Sequence, residues 1–200
     1  AAIDKIMLTP QRPLVAIIGG AKVSTKLAIL QSLLTIVDVL LIGGGMANTL
    51  LAAQGYNVGA SLYEPELRQT AREFLDKAQT TKTKVLLPVD VITQDGLNKD
   101  LQAIGTQDKI LDIGKKTIEL YTDNIANAVT ILWNGPLGVF EEPKFANGTI
   151  AVAQDIAQSR AFSVIGGGDT LVIIDKLQIA DKISYISTGG GAFLEYLEGR

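Results

Sequence analysis

Short runs of apolar β-formers alternate with longer segments of helical period along almost the whole chain, and this rhythm restricts the folds open to it. Strands are predicted over 14–18, 39–42, 84–87, 110–113, 129–133, 162–165 and 184–187. Helical patterns fall over 23–34, 47–54, 64–80, 115–124, 146–159 and 170–176. Such alternation predicts parallel βα units. Most of the strand runs are apolar almost throughout, as strands covered by helices on both faces must be. The expected fold is therefore α/β: a three-layer, doubly wound, mainly parallel sheet with helices on both faces, Rossmann-like. Ligands are expected at the carboxyl ends of its strands. The stretch 93–108, TQDGLNKDLQAIGTQD, shows no clear period and is expected to form a loop or a small antiparallel excursion.

The glycines collect at those carboxyl ends. IIGGAK, LIGGGM, LWNGPLG, VIGGGD and ISTGGGA each follow a predicted strand, and most precede a helix. For any one cluster, tight turns and close helix packing are sufficient reason. All of them on one edge of one sheet describe a backbone-walled cleft with several helix N-termini aimed at it, which suits an anion such as phosphate.

Composition narrows the chemistry. The chain has 200 residues, 47% of them hydrophobic and 20% charged, enough for one well-buried globular domain. A net charge of −3 and a pI near 5.0 argue against a nucleic-acid partner. There is no cysteine and no histidine. Disulfides, thiolate nucleophiles, imidazole bases and cysteine-ligated zinc are thereby excluded. Carboxylates, lysines, backbone amides and a hard cation such as Mg²⁺ remain. The apolar stretch 39–53 is short for a membrane span and holds Gly43, Gly44, Gly45 and Asn48, so a strand, turn and helix are expected and no membrane partner. The first residues, AAIDKIMLTPQRP, lack a long apolar core; no signal peptide is expected, and the cytoplasm is the expected location.

Common phosphate motifs do not fit. GGAKVSTK lacks the spacing of a P-loop, and no G-x-G-x-x-G follows the first strand. Lys22 and Lys26 sit four apart as a helix begins, which places like charges side by side. They are either a solvated first turn or a clamp whose repulsion a bound polyphosphate relieves. Asp169, in GGGDT, is either a helix N-cap or a carboxylate placed to hold Mg²⁺, and Thr170 can offer a hydroxyl to phosphate. Asn134, in WNGPLGVFEE, has an amide able to donate to phosphate, with Gly135 and Pro136 making a stiff turn beyond it. Glu141 is a surface residue by type, and its place after this loop suits a ribose contact. A NAD-dependent Rossmann oxidoreductase and a purely structural role are the rival readings. The first would prefer NAD over MgADP, and the second would bind no nucleotide saturably.

Taken in order, RPLVAIIGGAKVSTK, LIGGGMANTLLAAQG, LLPVDV, ILDIG, ILWNGPLGVFE, FSVIGGGDT and ISTGGGAFLEYLEG resemble the C-terminal, nucleotide-binding domain of phosphoglycerate kinases, over about residues 12–199. The resemblance implies phosphoryl exchange between 1,3-bisphosphoglycerate and MgADP, giving 3-phosphoglycerate and MgATP, in a complete enzyme that is a monomer. It implies that Lys22, Gly167 and Gly168 are catalytic, with Lys22 approaching the phosphoryl group in flight. Lys26 would bind nucleotide phosphates, and Asn134, Gly167, Gly168 and Thr170 would line the phosphate region. Asp169 would be the Mg²⁺ ligand, Glu141 would contact the ribose, and Ala21, Gly44, Gly45, Leu111 and Pro136 would form the adenine slot. Residues 1–13 resemble the end of an interdomain helix and linker, with 14–200 as the nucleotide-binding domain. The family's other domain, which binds the phosphoglycerate, has no counterpart in this sequence. A fragment that binds ADP or ATP with Mg²⁺ but is essentially inactive is the expectation. Lys115 stands where the family commonly has proline, so a looser turn is expected after Gly114.

Overall fold

The computed structural model describes residues 8–188 and Leu197. The glycines at 189–191 and the first seven residues, both invoked by the family resemblance, lie outside the described residues. The chain begins with β1 (Leu14–Ile18), α1 (Val23–Leu33), β2 (Val39–Ile42), α2 (Gly45–Ala53), α3 (Arg68–Gln79) and β3 (Lys84–Leu86). Three short strands follow: β4 (Asp90–Thr93), β5 (Asn98–Asp100) and β6 (Ile110–Ile113). Then come α4 (Lys115–Ala126), β7 (Thr130–Asn134), α5 (Asn147–Gln158), β8 (Phe162–Gly166), α6 (Gly168–Leu177) and β9 (Tyr185–Ser187).

Six strands form one parallel sheet in the order β3-β2-β1-β7-β8-β9. Alternate residues of β1 face opposite layers, as the two-residue period of a strand requires. Leu14, Ala16 and Ile18 pack with Leu30 and Leu33 of α1, Leu50 of α2 and Phe74 of α3. Val15 and Ile17 pack in the opposite layer with Tyr121 of α4, Val152 and Ile156 of α5 and Ile173 of α6. The chain winds outward from β1 to β3, returns beside β1 as β7, and winds outward the other way to β9. The order therefore reverses between β1 and β7, and a doubly wound, Rossmann-like sheet opens its crevice at that reversal. Among the described residues no helix is long and apolar enough to cross a membrane.

Residues 110–113 are a strand, as the apolar run predicts, but not of the parallel sheet. They pair antiparallel with β4, which pairs on its other side with β5. Only residues 87–89 separate β3 from β4, too few for the crossover a parallel neighbour needs. The turn between β4 and β5 carries Gly96 at φ +79°, which reverses the chain tightly and makes the antiparallel excursion. This small sheet places Leu111 and Asp112 against the loop after β7, where Val139 donates its N–H to the Leu111 carbonyl at 2.9 Å.

Candidate functional site

The turns after β1 and β7 touch backbone to backbone at the switch point. Gly19 donates to the Asn134 carbonyl at 2.9 Å, and a Cβ on Gly19 would lie 2.0 Å from the Pro136 oxygen. A Cβ on Gly44 would lie 2.5 Å from the Gly20 oxygen, and one on Gly45 2.7 Å from that of Ala21. These glycines are required by mutual packing. Gly168 differs: a Cβ there would meet nothing within 4 Å.

Most helix N-termini around this edge are already occupied by protein. Glu64 accepts from Ser24 at 3.0 Å at the head of α1, and the Gly20 carbonyl accepts from Met46 at 3.0 Å in α2. Asp90 takes Lys116 and Thr117 of α4, each at 2.9 Å, and Asp112 takes Gly148 of α5 at 3.0 Å. Against the opposing effect of burial, the hydrogen bonds from the head of α1 and the charge of Lys22 hold the Glu64 carboxyl below its ordinary range. At α6 no side chain caps the first turn, and the amides of Gly168, Asp169 and Thr170 have no protein acceptor among the described residues. An open helix N-terminus beside a cleft is an anion site by its amides and its dipole.

The two lysines diverge. Lys22 is the extended N-cap residue of α1 and is exposed, so only Lys26 lies within the helix. Lys26 turns toward β7, where its ammonium donates to the Gly19 carbonyl at 3.0 Å and to Asn134 Oδ1. Burial lowers the Lys26 pKa to about 8, and the charge of Asp169 opposes that shift. Asn134 is committed on its amide side too, donating to the Gly166 carbonyl at 2.9 Å. Thr170 is fully buried and accepts from the Gly135 N–H at 2.8 Å, which leaves its hydroxyl proton to give. Lys26, Asn134 and Thr170 thus lock the ends of β1, β7 and β8 together beneath the open turn of α6. Asp169 is exposed in that turn and serves no capping hydrogen bond. A bare carboxylate next to an anion site repels the anion unless a cation bridges them. Among the described residues no cluster of three or more His, Cys, Asp or Glu could hold a metal. Mg²⁺ needs only one or two protein carboxylates, with phosphate and water completing its shell, so Asp169 alone fits it.

Next to this polar corner lies a cavity of about 290 Å³. Ala21, Gly44, Gly45, Leu111, Pro136, Glu141 and Asp169 all line it, so the sequence-predicted adenine and ribose positions share one space. Lys22, Lys26, Asn134, Gly167, Gly168 and Thr170 are not among its lining residues. Lys26, Asn134 and Thr170 form the locked corner, Gly167 and Gly168 open α6, and Lys22 stands at the head of α1. Sequence reasoning did not assign Asn48, Leu62, Asp112 or Val139 to the site, though all four line the cavity. Leu62 is 63% exposed at its edge, and its carbonyl is held by the Asn48 amide at 3.0 Å. Asp112 alone carried a signal, an acid in the apolar run KILDIG.

The fold and this corner define a doubly wound α/β domain whose switch-point cleft joins an open helix N-terminus to a largely apolar cavity. The family profile described as phosphoglycerate kinase matches residues 1–200, and the chain belongs to that family. It is 52% identical to a phosphoglycerate kinase of Legionella pneumophila (strain Lens) and 48% identical to that of Coxiella burnetii. In each case all of this chain aligns, with 52% and 53% of the relative. The solved phosphoglycerate kinase of Coxiella burnetii superposes with a TM-score of 0.97 at 48% identity, covering the whole of this chain and 54% of the other. That of Pyrococcus horikoshii OT3 gives 0.86 at 34% identity, over the whole of this chain and 52% of the other. The chain spans about half the length of the relatives it matches.

Proposed function

We propose that this chain is the ADP/ATP-binding half of a phosphoglycerate kinase. The base and ribose occupy the cavity, and the phosphates run along the turn of α6. The observation that carries this reading is the uncapped first turn of α6, beside Lys26 and Asp169 and next to a cavity of base-accepting size. Lys26 and the amides of Gly168, Asp169 and Thr170 neutralise charge on the phosphate oxygens, while Lys22 stands exposed at the head of α1 to meet the transferring group. Asp169 would hold Mg²⁺, which when bound neutralises and orients the phosphate chain. Phosphoryl transfer asks for this alignment and charge neutralisation above all. In the ATP-consuming direction the acceptor is a carboxylate, ionised near pH 7. A chain without histidine can therefore contribute to the step.

The phosphoglycerate is bound, in this reading, by a part of the enzyme with no counterpart in these residues. Holding two reactants in register is worth about 7–11 kcal/mol, so the chain alone binds nucleotide and transfers phosphoryl groups negligibly. Titration calorimetry with ADP, with and without Mg²⁺ and with NAD as control, tests the reading. Saturable ADP binding that responds to Mg²⁺, with little response to NAD, supports it; a folded chain that ignores ADP refutes it. Asp169→Ala is expected to remove most of the Mg²⁺ dependence, and a variant that keeps that dependence would withdraw Asp169 as the ligand.

A further inference from the structure

Asp112 is a carboxylate that the phosphate chemistry does not use, buried to 2% exposure at the cavity wall. Its Oδ2 accepts the Gly148 N–H at 3.0 Å, and its Oδ1 accepts the Ile113 N–H at 2.9 Å. No described ion pair includes it. The carboxylate lies against two bare Cα atoms: a Cβ on Gly138 would come within 2.5 Å of Oδ1, and one on Gly148 within 2.6 Å. Three segments therefore meet on one side chain: the end of β6, the loop after β7 and the first turn of α5. Two hydrogen bonds complete the joint. Val139 donates to the Leu111 carbonyl at 2.9 Å, and Leu137 donates to Thr149 Oγ1, itself fully buried, at 3.1 Å. Burial raises the Asp112 carboxyl to about 7, opposed by its two N–H donors, so packing alone does not favour an acid here. An acid kept in such a place without a charge partner is holding something.

What it holds is one wall of the cavity, made by Leu111, Pro136, Gly138, Val139 and Glu141. We propose that Asp112 is a positioning residue for the nucleotide: by joining β6 and α5 around the loop 136–141, it sets the wall that receives the base and ribose. The inference rests on the nucleotide reading above. The amides of α6 and the Lys26 ammonium belong to the β1–β8 corner, and no described hydrogen bond ties them to Asp112 or to the loop 136–141.

Asp112→Asn keeps the shape but replaces an acceptor oxygen with an amide NH2 facing an N–H. Calorimetry on the chain with two probes, ADP and inorganic pyrophosphate, each with Mg²⁺, separates the wall from the phosphate corner. ADP affinity is expected to fall about tenfold, as for one buried N–H donor left unsatisfied, with pyrophosphate affinity unchanged. Thr149→Val, nearly isosteric, cuts the loop's tie to α5 and is expected to show the same split if Asp112→Asn does not fold. Folded variants whose ADP affinity stays within about twofold of the parent would overturn the proposal, as would equal losses for both probes. A parent chain that fails to bind ADP would remove the nucleotide reading and this inference with it. A parent that binds while its variants are unchanged would remove the inference alone.

Discussion

Binding of ADP at pH 8 is expected to draw about half a proton per site onto Lys26, from the protonation arithmetic of a group whose pKa returns to its ordinary value. Burial against the Gly19 carbonyl and Asn134 lowers this lysine to about 8, with Asp169 opposing. At that pH half of the free chains carry a neutral amine. A phosphate laid along α6 brings negative charge to the amine and restores the ammonium. Uptake should then be about 0.1 proton at pH 7, about 0.5 at pH 8 and about 0.9 at pH 9. The experiment is titration calorimetry with ADP and EDTA, so that no cation alters the field of Asp169, in two buffers of different ionisation enthalpy. The slope of the observed heat against buffer enthalpy counts the protons. Lys26→Met should bring the slope to zero. Saturable ADP binding by the parent with no buffer dependence at pH 8 would show that the phosphate does not meet Lys26.

Two further outcomes concern stability. Gly19→Ala drives a Cβ to 2.0 Å from the Pro136 oxygen, with backbone on both sides, and should cost about 1–3 kcal/mol or more. Gly96→Ala strains only a φ of +79° in open space and should cost about 1–2 kcal/mol. Urea denaturation that finds Gly19→Ala no worse than Gly96→Ala would contradict the close contact at the switch point. Asp112 makes stability depend on pH, because burial lifts its carboxyl from 3.8 to about 7. Between those values the folded chain holds a proton that the unfolded chain has released. This contribution is therefore full below the ordinary carboxyl range and is lost as pH rises through about 7. Asp112→Asn should flatten the fall in urea midpoint between pH 4.5 and 7.5, and an unchanged slope would count against the shift.

Much of the fold was legible because its signals are local. The apolar runs of β1, β7 and β8, the helical period of α1 and α5 and the glycines that follow β1, β2, β7 and β8 are written within a few consecutive residues. A period of two or of 3.6 can be read there without knowing the neighbours. The resemblance in motif order then named the family, and the whole-chain match bears it out. Residues 110–113 show the limit of that reading. Their composition suits a strand of either sheet, and only the short connection from β3 to β4 and the turn at Gly96 decide which one they join.

The site divides the same way. Sequence alone brought Lys22, Lys26, Asn134 and the GGGDT turn to one edge of the sheet. It could not say which lysine turns inward, because that depends on Asn134, which arrives from β7. Nor could it say which helix keeps its N-terminus open. The heads of α1, α2, α4 and α5 are taken by Glu64, the Gly20 carbonyl, Asp90 and Asp112, each from a distant stretch of chain. A helix's tendency to offer amides is intrinsic to its backbone, whereas the satisfaction of those amides is a competition among groups that only folding brings together. The sequence determined the strands, most of their turns and the family; the tertiary structure decided that, among the described residues, the first turn of α6 stays open and that Asp112 is the side chain joining β6 to α5 beside the cavity.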